Sequence, residues 1–141
     1  MRTDCPFCAI GRGDVDADLV AFRASGVFVV PTLKQRPSNP GQVLICPASH
    51  EVNLHSVSAD VRVALFEVVA QVTAAASQAF GAVGTTVLIN DSAPDQELDH
   101  LHVHVIPRFD NDALVIPNTD GTPAPRELRR QLAAKLRNEL E

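Results

Sequence analysis

His100-Leu101-His102-Val103-His104-Val105-Ile106 alternates imidazole and aliphatic side chains, residue by residue. Strand side chains point to opposite faces with a period of two, so the three rings share one face and Leu101, Val103 and Val105 share the other. Rings on one face lie roughly 6.6 Å apart along the strand. The aliphatic face suits a core. The imidazole face does not, because every ring nitrogen buried there needs a partner. A strand is therefore predicted over residues 101–106, ended by Pro107. The chain has five histidines, and three of them stand in this register. On the residues alone three readings stay open: satisfied structural histidines, a zinc or iron site built on His-x-His, or an imidazole nucleophile working at phosphorus.

Outward from this strand the pattern is of short strands around one long helix. Residues 18–23 and 27–30 read as strands, joined by a hairpin turn at Ser25-Gly26. Residues 32–40 are polar, with Pro37 and Pro40, and read as a loop. Residues 42–46 form a compact apolar run ended by Pro47, a buried strand. Ser58 is the predicted N-cap of a helix in which Val61, Leu65, Val68, Val72, Ala75 and Ala79 recur at steps of three and four. It ends at Phe80, before Gly81 or Gly84. Residues 85–90 are a β-branched strand and residues 91–99 a polar loop. Residues 110–125 are loop-like. In residues 127–140, Leu128, Leu132, Leu136 and Leu140 recur at steps of four and mark a second helix. Its bases, Arg126, Arg129, Arg130, Lys135 and Arg137, alternate with acids and read as a solvated face. The fold class is α+β: an antiparallel sheet of about five strands with one long helix and a C-terminal helix.

Length and composition set the bounds. A chain of 141 residues fits one domain and buries a substantial core without staples. Twelve Lys and Arg against seventeen Asp and Glu give a formal charge of −5. That balance disfavours a polyanion such as duplex DNA or an anionic membrane. Six Phe with no Trp or Tyr leave little for an aromatic platform under single-stranded nucleic acid. No secretory leader follows Met1, and no stretch approaches the ~20 apolar residues of a membrane span, so a soluble cytoplasmic protein is expected. Three cysteines, two of them in Cys5-Pro6-Phe7-Cys8, do not form a disulfide framework and are expected to be reduced. Cys5 and Cys8 have the spacing of a zinc knuckle; Cys46 reads as a buried small hydrophobe.

The histidine strand and its flanks resemble the histidine-triad (HIT) family of nucleotide hydrolases and transferases. The resemblance includes Pro40-Gly41-Gln42-Val43-Leu44-Ile45-Cys46-Pro47-Ala48-Ser49-His50, with its Pro-x-x-His ending, and Asn53-Leu54 before the long helix. It includes Asn90, the loop bearing Gln96-Glu97-Leu98, and the exit Ile106-Pro107-Arg108-Phe109. Cys5-x-x-Cys8 with Ala9-Ile10 and Gly13 is similar to the N-terminus of zinc-carrying bacterial members. The match runs from Cys5 to about residue 112, which implies a HIT domain with an N-terminal zinc knuckle over residues 1–112 and a loop and helix extension over residues 113–141.

What the resemblance implies is specific. His102 would be the nucleophile at the α-phosphorus, a role open to an imidazole because its ordinary pKa of about 6.5 leaves it largely neutral at pH 7. Asn90, Gln96, Glu97 and His104 would bind substrate, the amides donating to phosphoryl oxygens without adding charge. Cys5, Cys8, His50 and His100 would hold a structural Cys2His2 zinc. His55 matches no position of the family and reads as a surface residue. A homodimer is implied as well. The chain departs from the family at Asp95, where a small Gly is usual, in a loop one residue short, and after the second strand, where Pro31-Thr32-Leu33-Lys34 lacks a ribose-binding acid. The expected activity is hydrolysis or nucleotidyl transfer at nucleoside phosphoramidates, dinucleoside polyphosphates or similar esters. The alternatives are a zinc-stabilised nucleotide-binding module with little catalysis, and a metalloenzyme with one catalytic metal on all three triad histidines.

Overall fold

The structure is a computed structural model and describes residues 4–115, 123 and 125–140. In chain order, helix α1 (Pro6–Arg12) and a 3-10 turn (Ala17–Leu19) precede strands β1 (Phe22–Ala24), β2 (Val27–Pro31) and β3 (Val43–Pro47). Helix α2 (Ala59–Phe80), strands β4 (Gly84–Leu88) and β5 (Val103–Arg108) and helix α3 (Arg126–Leu140) follow. The five strands form one sheet in the order β1-β2-β3-β5-β4, antiparallel throughout.

The hairpin turn falls where the sequence placed it. Ser25 and Gly26 both take positive φ, 52° and 76°, the pair of left-handed residues that a two-residue turn matched to strand twist requires. The first strand is shorter than expected. Residues 17–19 wind into the 3-10 turn, and β1 keeps three residues. Ala21 still donates its N–H to the Val29 carbonyl at 2.8 Å, but beyond it the ladder meets Pro31, the end of β2, which has no amide proton to give.

The period-two reading of the histidine segment is correct for its aliphatic half. Val103 and Val105 are buried with Leu101 against Val27, Val29, Val43 and Ile45 and the α2 residues Leu65, Val68 and Val69. The strand itself is displaced two residues downstream, from 101–106 to Val103–Arg108. It passes through Pro107 because there β5 pairs with β4 alone; its pairing with β3 stops at Val105↔Val43. A strand with one open side accommodates proline. His100 and His102 thus lie in the lead-in to β5, and only His104 is in the ladder.

α2 matches its expected limits. Ser58 Oγ accepts from the Val61 amide at its start, and Gly81 closes it with φ 72°. Contrary to expectation, this stretch is long and apolar enough to cross a membrane by length and composition. It is a core helix instead: its first half is seated on the sheet through Leu65, Val68 and Val69. Farther along, Val72, Ala75, Ala79 and Phe80 line an open apolar groove with Ala21, Phe22, Val29 and Val43.

The opposite face of the sheet is covered by α1, a helix absent from the sequence reading. Phe7, Cys8 and Ile10 of α1 bury against Phe28, Val30 and Cys46. Pro6 in its first turn and Gly13 at its end (φ 83°) delimit it. α1 therefore sits on the face where the histidines emerge, while α2 fills the other. α3 forms as expected, one residue earlier, with Leu128, Leu132, Leu136 and Leu140 exposed.

Candidate active site and metal centre

Antiparallel partners share a face, so the pair Leu44↔His104 puts Gln42, Leu44 and Cys46 of the β3 segment on the side of the sheet that carries the histidines. α1 brings Cys5 and Cys8 to the same side, and the turn after β3 brings His50. The donor atoms of Cys5, Cys8, His50 and His100 all lie within 4.8 Å of one another. Individual separations are 3.4 Å from Cys5 Sγ to His100 Nδ1, 3.2 Å from Cys8 Sγ to His50 Nδ1 and 3.6 Å from Cys8 Sγ to His100 Nδ1. Zinc bonds of about 2.3 Å to sulfur and 2.0–2.1 Å to nitrogen, set tetrahedrally, require S···N edges of about 3.5 Å. The donor set and its spacing fit zinc.

The ring of His100 is prepared for this role. Its Nε2–H donates to the Pro47 carbonyl at 2.8 Å, leaving the Nδ1 lone pair facing the thiols. Such an outer hydrogen bond is how ligating histidines are usually oriented. Burial, opposed in part by the bond to Pro47, pushes the His100 pKa down, so the ring is neutral and available as a ligand.

His102 is fixed from behind. Its Nδ1–H donates to the His100 carbonyl at 2.7 Å, and a carbonyl can only accept, so Nδ1 carries a proton and the neutral ring has its lone pair on Nε2. Phe7 packs against it at 5.2 Å and His104 at 5.0 Å, ring centre to ring centre. His104 is half-buried, and burial, with the neighbouring His102 and the Arg36 guanidinium adding to it, pushes its pKa down to about 4.

The HIT domain family matches residues 22–111. The chain belongs to the HIT family. An adenylylsulfatase of Arabidopsis thaliana is 30% identical over 115 residues, covering 81% of this chain and 57% of the plant protein. The chain thus spans little more than half the length of that relative. An adenosine 5'-monophosphoramidase of Schizosaccharomyces pombe is 30% identical over 105 residues, 74% of each chain. Among solved structures, a protein of Streptococcus mutans superposes with a TM-score of 0.87 at 26% identity, covering 100% of this chain and 88% of that one. A zinc-bound histidine triad family protein of Mycobacterium smegmatis gives 0.67 at 30% identity, covering 98% of each. The family thus includes hydrolase-type members and a zinc-bound one.

The other residues expected at a HIT substrate site are less uniformly placed. Asn90 is half-buried just beyond β4. Gln96 donates from its side-chain amide to the Val52 carbonyl at 2.7 Å, which ties its loop to the segment before α2. Glu97 is exposed and lines a shallow cleft with Asp4, Cys5, Pro6, Leu98 and Asp99. Asp95, the departure from the family pattern, is exposed. His55 is exposed, as expected of a surface residue.

Two groups at this site escaped the sequence reading. Gln42 is buried at the head of β3 and hydrogen-bonds His104. Its parity with Leu44 and Cys46 was the available signal. The second is a polar knot beneath β5. Asp112 accepts from Arg108 at 2.7 and 2.9 Å, from Asn39 Nδ2 at 2.7 Å and from the amides of Phe109 and Leu114. These bonds, led by Arg108, hold the Asp112 carboxyl far below the usual carboxylate range. No sequence pattern joins positions 39 and 112.

Proposed function

We propose that the protein is a nucleotide hydrolase or nucleotidyl transferase acting at the α-phosphate of nucleoside phosphoramidates, dinucleoside polyphosphates or similar esters. The observation that carries this reading is the bond from His102 Nδ1 to the His100 carbonyl. It occupies Nδ1 and so leaves Nε2 of the neutral ring to act as the nucleophile. The Nε2 lone pair attacks the α-phosphorus, and the P–N or P–O bond to the leaving group breaks. The leaving group departs with the bonding electrons and takes a proton from solvent. Water or another acceptor then attacks the nucleotidyl-histidine and gives up a proton to solvent, the N–P bond breaks, and its electron pair returns to Nε2.

Asn90, Gln96, Glu97 and His104 are assigned to substrate. Gln96 spends one amide N–H on the Val52 carbonyl and has a second to offer a phosphoryl oxygen. Cys5, Cys8, His50 and His100 are assigned to one zinc ion. With four protein ligands it supplies structural tethering and no open position for chemistry. We assign the HIT domain with its zinc knuckle to residues 1–112 and the extension to residues 113–141, and expect a cytoplasmic homodimer.

Trapping is the direct test. Acid-quenched incubation with radiolabelled AMP phosphoramidate should leave label on His102, and His102→Ala should abolish both label and turnover. Undiminished turnover in His102→Ala would sink the proposal. The exposed carboxylate of Asp95, in the loop that carries Gln96, favours a second reading, a zinc-stabilised nucleotide-binding module. Calorimetric nucleotide binding with no product on long incubation would establish that instead.

A further inference from the structure

Gln42 is 5% exposed and held on every side. Its backbone N–H donates to Gln35 Oε1 at 3.1 Å, and its carbonyl accepts from the Thr32 amide at 3.1 Å and from Gln35 Nε2 at 2.9 Å. Its side chain bridges two groups. Arg36 Nε donates to Oε1 at 3.1 Å, and Nε2 lies 3.0 Å from His104 Nδ1. Arginine has donors only, so the atom facing Arg36 must be the amide oxygen, and the NH2 must face His104. An amide nitrogen donates and does not accept. His104 Nδ1 must therefore carry a lone pair, which leaves the single proton of the neutral ring on Nε2.

We propose that Gln42, oriented by Arg36, is a positioning residue that sets the tautomer of His104 opposite to that of His102. The two neighbouring rings of the triad then present complementary edges. His102 carries its proton on Nδ1 and offers a bare Nε2. His104 carries its proton on Nε2 and offers a neutral N–H donor beside it. On the reading of function given above, the donor serves a phosphoryl oxygen while the bare nitrogen attacks phosphorus. A carboxylate at position 42 could not do this, because it would draw the His104 proton to Nδ1. An aliphatic residue there would leave the two tautomers to compete. The specialisation of chemically identical side chains thus comes from two acceptors and donors behind them: the His100 carbonyl for one, the Gln42 amide for the other.

The test reads the tautomer directly, without substrate. Nitrogen-15 NMR of histidine-labelled, zinc-loaded protein near pH 7.5 separates protonated from unprotonated ring nitrogens. The expected pattern is protonated Nδ1 for His102 and protonated Nε2 for His104. Gln42→Glu should move the His104 proton to Nδ1, and Gln42→Leu should give a mixture. Arg36→Ala, a change at an exposed side chain that keeps the fold, should also give a mixture by freeing the amide. A wild-type His104 protonated on Nδ1, or variants that leave its pattern unchanged, would overturn the proposal. With AMP phosphoramidate as substrate, Gln42→Glu should lower kcat about ten- to a hundredfold, the worth of a hydrogen bond to a charged group, with KM changed much less. A wild-type protein that shows the expected tautomers but never turns over would refute the proposed function and leave this assignment standing.

Discussion

Gly11→Ala sets two ordinary effects against each other. Gly11 is near the end of α1, and alanine there should strengthen the helix by at most about 1 kcal/mol. A Cβ at that position would stand 2.9 Å from the Ala48 carbonyl oxygen, 3.1 Å from its Cα and 3.4 Å from its Cβ. Backbone atoms cannot rotate aside, and Ala48 is anchored by its own amide bond to the Gly26 carbonyl at 2.7 Å. Overpacking of this kind typically costs about 1–3 kcal/mol. The clash wins, and the net loss should be about 1–2 kcal/mol. With a urea m-value of about 2 kcal/mol/M, the unfolding midpoint should fall by about 0.5–1 M. The displacement also has a direction. α1 must lift off the segment between Pro47 and His50, and so carry Cys5 and Cys8 away from His50 and His100. Zinc affinity, measured by competition with a chromogenic chelator, should weaken along with stability. A variant as stable as the parent, or more so, would show that α1 is not pressed against Ala48 and would refute the reasoning.

Other outcomes follow from the same geometry. Leu65→Ala should cost about 3 kcal/mol in denaturant unfolding, because Leu65 is fully buried, whereas Leu132→Ala on exposed α3 should cost less than about 0.5 kcal/mol. Zinc at a thousandfold excess over its Kd should raise stability by about 4 kcal/mol, and chelation or Cys8→Ser should remove that gain. Cys46 should resist thiol reagents in the native state, since burial, with Cys5 adding to it, raises its pKa well above the ordinary value; rapid labelling would contradict this. Asp112 has a lowered folded pKa, so its stabilisation is complete above the unfolded value of about 3.9 and is lost as pH falls through the folded one. Asp112→Asn should therefore be less stable at pH 7 and show a shallower loss of stability in acid.

The parts of the fold legible in the sequence were those governed by local rules. Ser58 and Gly81 bounded α2, Ser25-Gly26 set the hairpin, and the alternation at 101–106 identified which residues face the core. Local rules failed where a partner elsewhere decides. β1 is truncated because Pro31 lies across from where it would extend. β5 tolerates Pro107 because β3 has already turned away at Val43. α1 was masked by its cysteines: Pro6 and Gly13 signal a helix, but Cys5-x-x-Cys8 drew attention to ligands rather than to backbone. At the site, the clustering of Cys5, Cys8, His50 and His100 was legible through the family resemblance of their motifs. Gln42 was not, since an amide acquires meaning only from what stands on either side of it, here Arg36 and His104.

The sheet order carries a consequence for how the molecule is made. β4 touches no strand but β5, and β3 has no second neighbour until β5 arrives. During synthesis the first three strands can pair as they emerge, while β4 waits as an orphan. The strand that leads out of His100 and His102 and carries His104 is the last to be made and goes into the middle, joining the two halves. Such long-range insertion is slow and leaves edges open in the interim. It also means that a nascent or truncated chain cannot have its three histidines in register before its sheet is whole. Completion of the sheet and assembly of the histidine face come from one event.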